Sequence, residues 1–339
     1  MDESRPIGSP ITCRKDASNV GRDGVGRRRG RKAPVETIRC AGLSKSYGGA
    51  AAVDGLDLAV GEAQVYGFLG PNGSGKTTTM RMLLGLVRPT SGRAWLNGRA
   101  LPDPDGLARV GAMIEEPAFH PWMTGRRNLE VLALHGPPLP HTDAVAGALE
   151  NAGLTSVADR KVKTYSQGMR QRLGLALALM RDPSVVLLDE PMNGMDPAAV
   201  REFRATMRSL ADRGTTVFLS SHQLTEVEQL CDRVAVVASG RVVAEGRPRD
   251  MTAAVVRVVL APADRTEART LLAARFPVRD KGPDALLVGA GDGRAVNELL
   301  GRAGVWAHQI RVERSDLEDA FLDLTTSDGE VAGDATAPR

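Results

Sequence analysis

The ten residues GPNGSGKTTT, Gly70 to Thr79, place three glycines, a lysine and a run of hydroxyls at a spacing that suits a polyphosphate. They fit the pattern G-x-x-x-x-G-K-[ST] at each fixed position: Gly70, Gly75, Lys76 and Thr77. Along Gly70, Pro71, Asn72, Gly73, Ser74 and Gly75 the backbone can wrap a β-phosphate. Lys76 reaches the β and γ oxygens, and Thr77, followed by Thr78, offers a hydroxyl to Mg²⁺. A second source of chemistry is VVLLDE, Val185 to Glu190, an apolar strand ending in two acids. Asp189 falls at the carboxyl end of that strand, where α/β folds hold ligands, and can bind Mg²⁺ through water. Glu190 is placed to orient and deprotonate a water facing the γ-phosphate. A surface acidic pair is the alternative, and the four apolar residues before it argue against that.

Three further stretches carry candidates. His222 follows the apolar run Thr216–Ser220 and reads either as a γ-phosphate contact or as an ordinary structural or exposed histidine. YSQGMRQRL, Tyr165 to Leu173, opens a helix with Ser166 as cap and Gly168 allowing close approach. Such a helix mouth favours an anion, although a plain serine-capped amphipathic helix has the same look. In NGMDP, Asp196 as cap and Pro197 at the first helical position make a good helix start whatever else the segment does.

These groups need a scaffold. QVYGFL (64–69) reads as the strand before the phosphate loop, with a helix over Thr77–Leu86 after it. SVVLLDEP and TTVFLSSH are nearly unbroken apolar runs followed by helical pattern, which predicts parallel strands buried on both faces and an α/β core. Val35 to Gly61 suggests short antiparallel strands, and 126–163 is mostly helical, broken by GPPLP. The hairpin VAVVASGRVVAEG closes this part near Gly246. Beyond Met251 short strands and helices alternate as a small α+β unit. Its last helix opens with Ser315 and Glu318 as a capping box and shows Leu317, Ala320, Phe321 and Leu324 on one face. The expected division is a disordered basic tail (1–35), a nucleotide-binding domain (36–250), an accessory α+β domain (251–326) and a disordered tail (327–339).

Bulk properties exclude several classes. The 339 residues are 42% hydrophobic and 25% charged, and the net charge of +3 is unevenly placed, with RDGVGRRRGRK, Arg22 to Lys32, strongly basic. That stretch reads as a solvated tail, with contact to anionic lipid or nucleic acid as the alternative. No signal peptide is legible, and no run approaches the roughly 18 apolar residues that span a bilayer. Cys13, Cys40 and Cys231 are widely spaced with no C-x-x-C, so neither a zinc site nor a disulfide framework is indicated, and Cys231 reads as a core residue. A soluble protein of a reducing cytoplasm is expected.

Taken together, KSYGG (45–49), GPNGSGKTT, YSQGMRQRL, VVLLDEP, NGMD and LSSH, in that order, resemble the nucleotide-binding subunit of ATP-binding cassette (ABC) transporters from about Ile38 to Gly246. The resemblance implies a P-loop NTPase cassette with an antiparallel β subdomain and a helical signature subdomain. It implies an ATPase using ATP and Mg²⁺. Tyr47 would stack on adenine, His222 would be the switch histidine, and Asp196 would lie in the loop linking two ATP sites. Ser166, Gln167 and Gly168 would close over the γ-phosphate held by a partner, in a head-to-tail homodimer or a dimer with a second ATP-binding subunit. Catalysis would fall to Glu190, His222 and Lys76.

The chain departs from the family pattern in two places. YSQGM replaces the commoner LSGGQ, and Glu115 stands where a glutamine usually contacts Mg²⁺. A carboxylate is still an oxygen ligand, although a solvated acid is the other reading. The glutamate loop and the closing SDLEDAFLDLT resemble the ATPase subunits of bacitracin- and daunorubicin-type exporters. That implies a drug, antibiotic, peptide or lipid-like cargo, a separately encoded transmembrane permease, and a peripheral place on the cytoplasmic face of the membrane. Phe119, Pro121, Trp122 and Met123 would line a groove for the permease or belong to the subdomain core. The rival is a non-transport ABC ATPase acting on ribosomes, nucleic acid or cluster assembly. A single phosphate loop and the absence of a coiled-coil insertion speak against it, so no nucleic-acid partner is expected.

Overall fold

The computed structural model describes residues 36–114, 118–251 and 254–314. The basic stretch Arg22–Lys32, Glu115, the capping box at Ser315 and Glu318, and the tail from 327 lie outside the described residues.

Strands β1 (Glu36–Tyr47) and β2 (Ala50–Gly61) pair antiparallel, but they are twelve residues each rather than short. Gly42 and Gly55, at φ +57° and +62°, absorb register shifts that would otherwise end the ribbon. The strand β3 (Val65–Leu69) runs into the phosphate loop and helix α1 (Lys76–Leu83). That helix stops short of the expected Leu86. Gly85 turns at φ +70°, and the Leu86 N–H donates back to Arg81 O at 2.9 Å, a glycine-centred helix end. Then come β4 (Ser91–Leu96), β5 (Arg99–Ala100), α2 (Pro104–Leu107) and β6 (Val110–Met113).

A helical segment follows, with α3 (Gly125–Ala133), α4 (Ala144–Asn151) and α5 (Gln167–Leu179). The chain returns through β7 (Val185–Leu188), α6 (Pro197–Asp212), β8 (Thr216–Ser221), α7 (Leu224–Leu230) and the hairpin β9 (Arg233–Ala238) and β10 (Arg241–Gly246). After α8 (Pro248–Met251), the last described part is β11 (Ala254–Val259), α9 (Arg265–Ala273), β12 (Val278–Asp280), β13 (Ala285–Val288), α10 (Gly293–Arg302) and β14 (Gln309–Arg314).

Among the described residues three sheets result. The six-stranded one has the order β10-β9-β3-β8-β7-β6, parallel except for β10. Alternate residues of its strands enter two different cores. Val65, Leu69, Val186, Leu188, Val217 and Leu219 pack with α5, α6 and α7. Tyr66, Phe68, Val185, Leu187 and Phe218 pack with α1 and the antiparallel sheet β2-β1-β4-β5. Both faces are therefore dry, as the unbroken apolar runs require. Phe218 is fully buried, with the Tyr66 ring stacked on it at 5.8 Å. Burying a side chain of that size contributes about 1.5–3 kcal/mol.

The helical segment has its own core of Leu129, Leu149, Leu154, Tyr165, Leu173 and Met180. The last part folds as βαββαβ with sheet order β12-β13-β11-β14, around Val256, Leu272, Leu286 and Leu300. Cys231, at the C-terminal cap of α7, is buried, as expected of a core residue.

Candidate nucleotide site

Sheet order assembles the chemistry. β3, β8 and β7 are neighbours, with Leu69 paired to Ser221 and Leu188 to Leu219. Their carboxyl ends thus deliver the phosphate loop, His222 and the Asp189–Glu190 pair to one place, the edge where parallel sheets hold ligands. An open pocket of about 360 Å³ lies there, lined by Tyr47, Ala52, Asn72, Gly73, Gly75, Lys76, Thr77, Thr78 and Glu190. A pocket of equal volume elsewhere is lined by residues such as Arg88, Thr90, Arg93 and Pro102, and contains no acid, lysine or histidine.

The loop conformation needs its glycines. Gly73 and Gly75 sit at φ +83° and +99°, and a Cβ on Gly75 would come within 2.4 Å of Ala52 O. No side chain caps α1, so its first N–H groups are not covered by a side-chain acceptor. Lys76, only 6% exposed, folds back on the loop. Its Nζ donates to Gly70 O at 2.8 Å and Pro71 O at 3.2 Å, and lies 3.4 Å from Glu190 Oε1.

The carboxylates are held from several sides. Thr77 Oγ1 donates to Asp189 Oδ2 at 2.6 Å, and Ser220 Oγ donates to Asp189 Oδ1. Glu190 takes φ +46°, unusual for a residue with a Cβ, and its N–H donates to Ser220 Oγ at 2.9 Å. Its Oε2 lies 2.8 Å from His222 Nδ1. Glu190 Oε1, which lines this pocket, and Ser74 Oγ, in the loop, are among the buried side-chain polar atoms without a hydrogen-bond partner in the described residues. A hydroxyl and a carboxylate bonded to each other beside a phosphate loop are hard oxygen donors, which suits Mg²⁺. No cluster of three or more His, Cys, Asp or Glu able to hold a metal occurs among the described residues, so Mg²⁺ here would depend on nucleotide and water oxygens as well.

The family described as ABC transporter matches residues 53–193. The chain is similar to the bacitracin transport ATP-binding protein BcrA of Bacillus licheniformis, 36% identical over 301 residues, covering 85% of this chain and 96% of that one. It is also 38% identical over 308 residues to the daunorubicin/doxorubicin resistance ATP-binding protein DrrA of Streptomyces peucetius, covering 86% and 93%. The chain belongs to the ABC transporter ATP-binding proteins. The family inferred from the motifs is the one found, and with it comes an ATP-binding protein that is an ATPase coupled to transport. Among solved structures, the ADP conformation of the ABC cassette MJ1267 superposes with TM-score 0.58 at 26% identity, over 64% of this chain and 92% of that one.

Within this ABC cassette the other candidates lie at stated places. Tyr47 is half exposed at the pocket rim, with Lys45 Nζ 5.0 Å from its ring centroid. Ser166 caps α5, accepting from Met169 N–H at 3.3 Å; it and Gln167 are exposed. None of Ser166, Gln167 and Gly168 lines the pocket of their own chain. Gln167 instead packs against Gly194, where a Cβ would meet its Cδ at 2.7 Å. The signature helix and the NGMD segment therefore touch. Asp196 caps α6 by accepting from Ala198 and Ala199 N–H at 2.9 and 2.8 Å, with Pro197 next.

Of the loop residues 119–123, Phe119 packs on the helical core, while Trp122 is 62% exposed, its ring tilted against that of His120 at 5.1 Å. Pro121 is exposed and Met123 half-buried. Two residues went unread in the sequence. Ser220 was hidden inside an apolar run, and its place beside the acid-bearing strand depends on a strand order that the sequence does not give. Asn128, fully buried, accepts from His120 N–H at 2.7 Å and donates to His120 O and Thr124 O at 3.1 and 2.9 Å, tying this loop down.

Proposed function

We propose that this ABC ATPase powers an exporter of a drug, antibiotic, peptide or lipid-like compound, working with a separately encoded membrane permease on the cytoplasmic face. One observation carries the reading. Lys76, Thr77 and Glu190 line one pocket, with Asp189 bonded to Thr77 and His222 to Glu190, while the helix mouth Ser166–Gly168 lies outside it. A site lacking that anion-favouring mouth is a half site, which a second chain completes head to tail. The names of BcrA and DrrA support an export role. No helix among the described residues is long and apolar enough to cross a membrane, which fits a partner that does.

In this reading Tyr47 stacks on adenine, and the stretch Gly70–Thr78 holds the phosphates, with Lys76 moving from Glu190 to the β and γ oxygens. Thr77 and Asp189 would hold Mg²⁺, with Glu115 as a further candidate ligand. When bound, Mg²⁺ neutralises phosphate charge. Glu190 accepts a proton from the attacking water, and His222, bonded to Glu190, faces the γ-phosphate. Ser166, Gln167 and Gly168 close over the partner's γ-phosphate, and Asp196 relays closure through the Gln167–Gly194 contact. Hydrolysis removes the shared γ-phosphate contacts and the halves part.

The test is purification of the tagged chain from membranes of its own host. An integral membrane protein that co-elutes and stimulates ATP turnover is expected. Co-elution of nucleic acid alone, lost with rising salt, would reject transport in favour of a nucleic-acid role.

A further inference from the structure

We infer that Ser220 is a positioning residue for the Asp189–Glu190 pair; this rests on the roles given to those two carboxylates above. β7 ends at Leu188, which still pairs with Leu219 of β8. Asp189 keeps one strand-like bond, its N–H donating to Met113 O at 2.8 Å. At Glu190 the chain swings to φ +46°, and its N–H meets the Ser220 hydroxyl. A hydroxyl has one proton and two lone pairs, so Ser220 can donate to Asp189 Oδ1 and accept from Glu190 N–H at once. Ser220 is fully buried, so water does not substitute for it in place.

Three consequences follow. Ser220 fixes the rotation of the Asp189 carboxylate, leaving Oδ2 toward Thr77 and the metal position. It also holds the left-handed turn that sends the Glu190 side chain into the pocket, a conformation that persists only when its surroundings over-determine it. Finally, it couples the two: the group that orients the metal-facing acid also orients the water-facing one. An aliphatic residue here would remove the partner that the Glu190 N–H and Asp189 Oδ1 share, both in partly buried surroundings.

The test compares Ser220→Thr with Ser220→Val, which add the same bulk at one buried position, only the first keeping a hydroxyl. Ser220→Ala removes the hydroxyl without adding bulk. Each variant is assayed for kcat and KM, for melting temperature, and for equilibrium binding of a fluorescent ATP analogue with and without Mg²⁺. The expected result is that Val and Ala lower kcat about 10- to 100-fold, as loss of a partner to a metal-facing carboxylate typically does. They also lose the Mg²⁺-dependent gain in nucleotide affinity while keeping metal-free binding, and Thr keeps both. A purely structural serine would shift the melting temperature alone, with Val matching Thr in kcat and Mg²⁺ response, and that result overturns the inference. Glu190→Gln and Asp189→Asn in the same assays separate the two layers. If those two stay active the carboxylate roles themselves fail; if they are inactive while Ser220→Val is not, only the role of Ser220 fails.

Discussion

Lys76 and Glu190 face each other across the candidate nucleotide pocket, Nζ to Oε1 3.4 Å, with side chains 6% and 20% exposed. The ammonium that suits a β/γ-phosphate is thus matched to a carboxylate and to the carbonyls of Gly70 and Pro71. An entering polyphosphate must win Lys76 from Glu190, and the freed Glu190 is left beside His222.

Replacing Glu190 by Gln separates these two events. The amide keeps the shape but neither competes as an anion for Lys76 nor takes a proton from water. ATP affinity is expected to hold or rise, while hydrolysis falls by about 100-fold or more, the usual loss of a general base. Phosphate release and equilibrium nucleotide binding measure the two independently. Near-parental turnover in Glu190→Gln would remove the general-base role.

The thiols give a pH-dependent test. Burial, reinforced by Asp57, pushes the Cys40 thiol from its ordinary value of 9.0 up to about 12, and burial raises Cys231 as well. The thiolate, not the thiol, is the nucleophile. In a Cys13→Ser chain neither remaining cysteine should react with a disulfide reagent at pH 8 until denaturant is added. The sign of the linkage follows from the raised folded value. Protonated Cys40 costs nothing below pH 9.0, and stability declines as pH rises toward about 12. Rapid labelling of folded protein at pH 8, or stability flat across that alkaline range, contradicts the burial.

Asn128 makes a different kind of claim. It spends three hydrogen bonds on the loop that presents Trp122. Asn128→Ala leaves the His120 N–H without its acceptor, at a cost of about 1–3 kcal/mol in a buried setting. Denaturant midpoints should fall accordingly, and, if the proposed permease docks on this loop, its stimulation of hydrolysis should weaken more than basal hydrolysis. Unchanged stability would mean that water replaces the amide.

How much of this was legible beforehand depended on range. The phosphate loop and the acid-ended strand were readable because fixed spacing and unbroken apolar runs are local signals. Strand order was not, since β3, β7 and β8 are alike in composition, and only their register brings Thr77, Asp189 and His222 together. Likewise the contact of Gln167 with Gly194 and the double use of the Ser220 hydroxyl join residues roughly 30 apart, beyond any periodicity. The early stop of α1 was a local signal passed over: Gly85 was in plain view.

The proposed half-site arrangement makes the strongest prediction, because it would assign the two halves of one reaction to different chains. Lys76 lines the pocket of its own chain and Ser166 does not. Lys76→Ala should therefore abolish turnover by spoiling the pocket, and Ser166→Arg by placing a bulky cation where the neighbour's phosphate is to be closed. Losing the Ser166 cap costs only about 0.5–2 kcal/mol of helix stability, so the second variant is expected to fold. When the two inactive chains are mixed, each heterodimer pairs an intact pocket from the Ser166→Arg chain with an intact helix mouth from the Lys76→Ala chain. One working site per heterodimer should reappear, and the recovered rate should follow the heterodimer fraction as the mixing ratio is varied. A mixture as inactive as its components, with heterodimers shown to be present, would mean that both groups serve one chain's own site and that the shared-site reading is wrong.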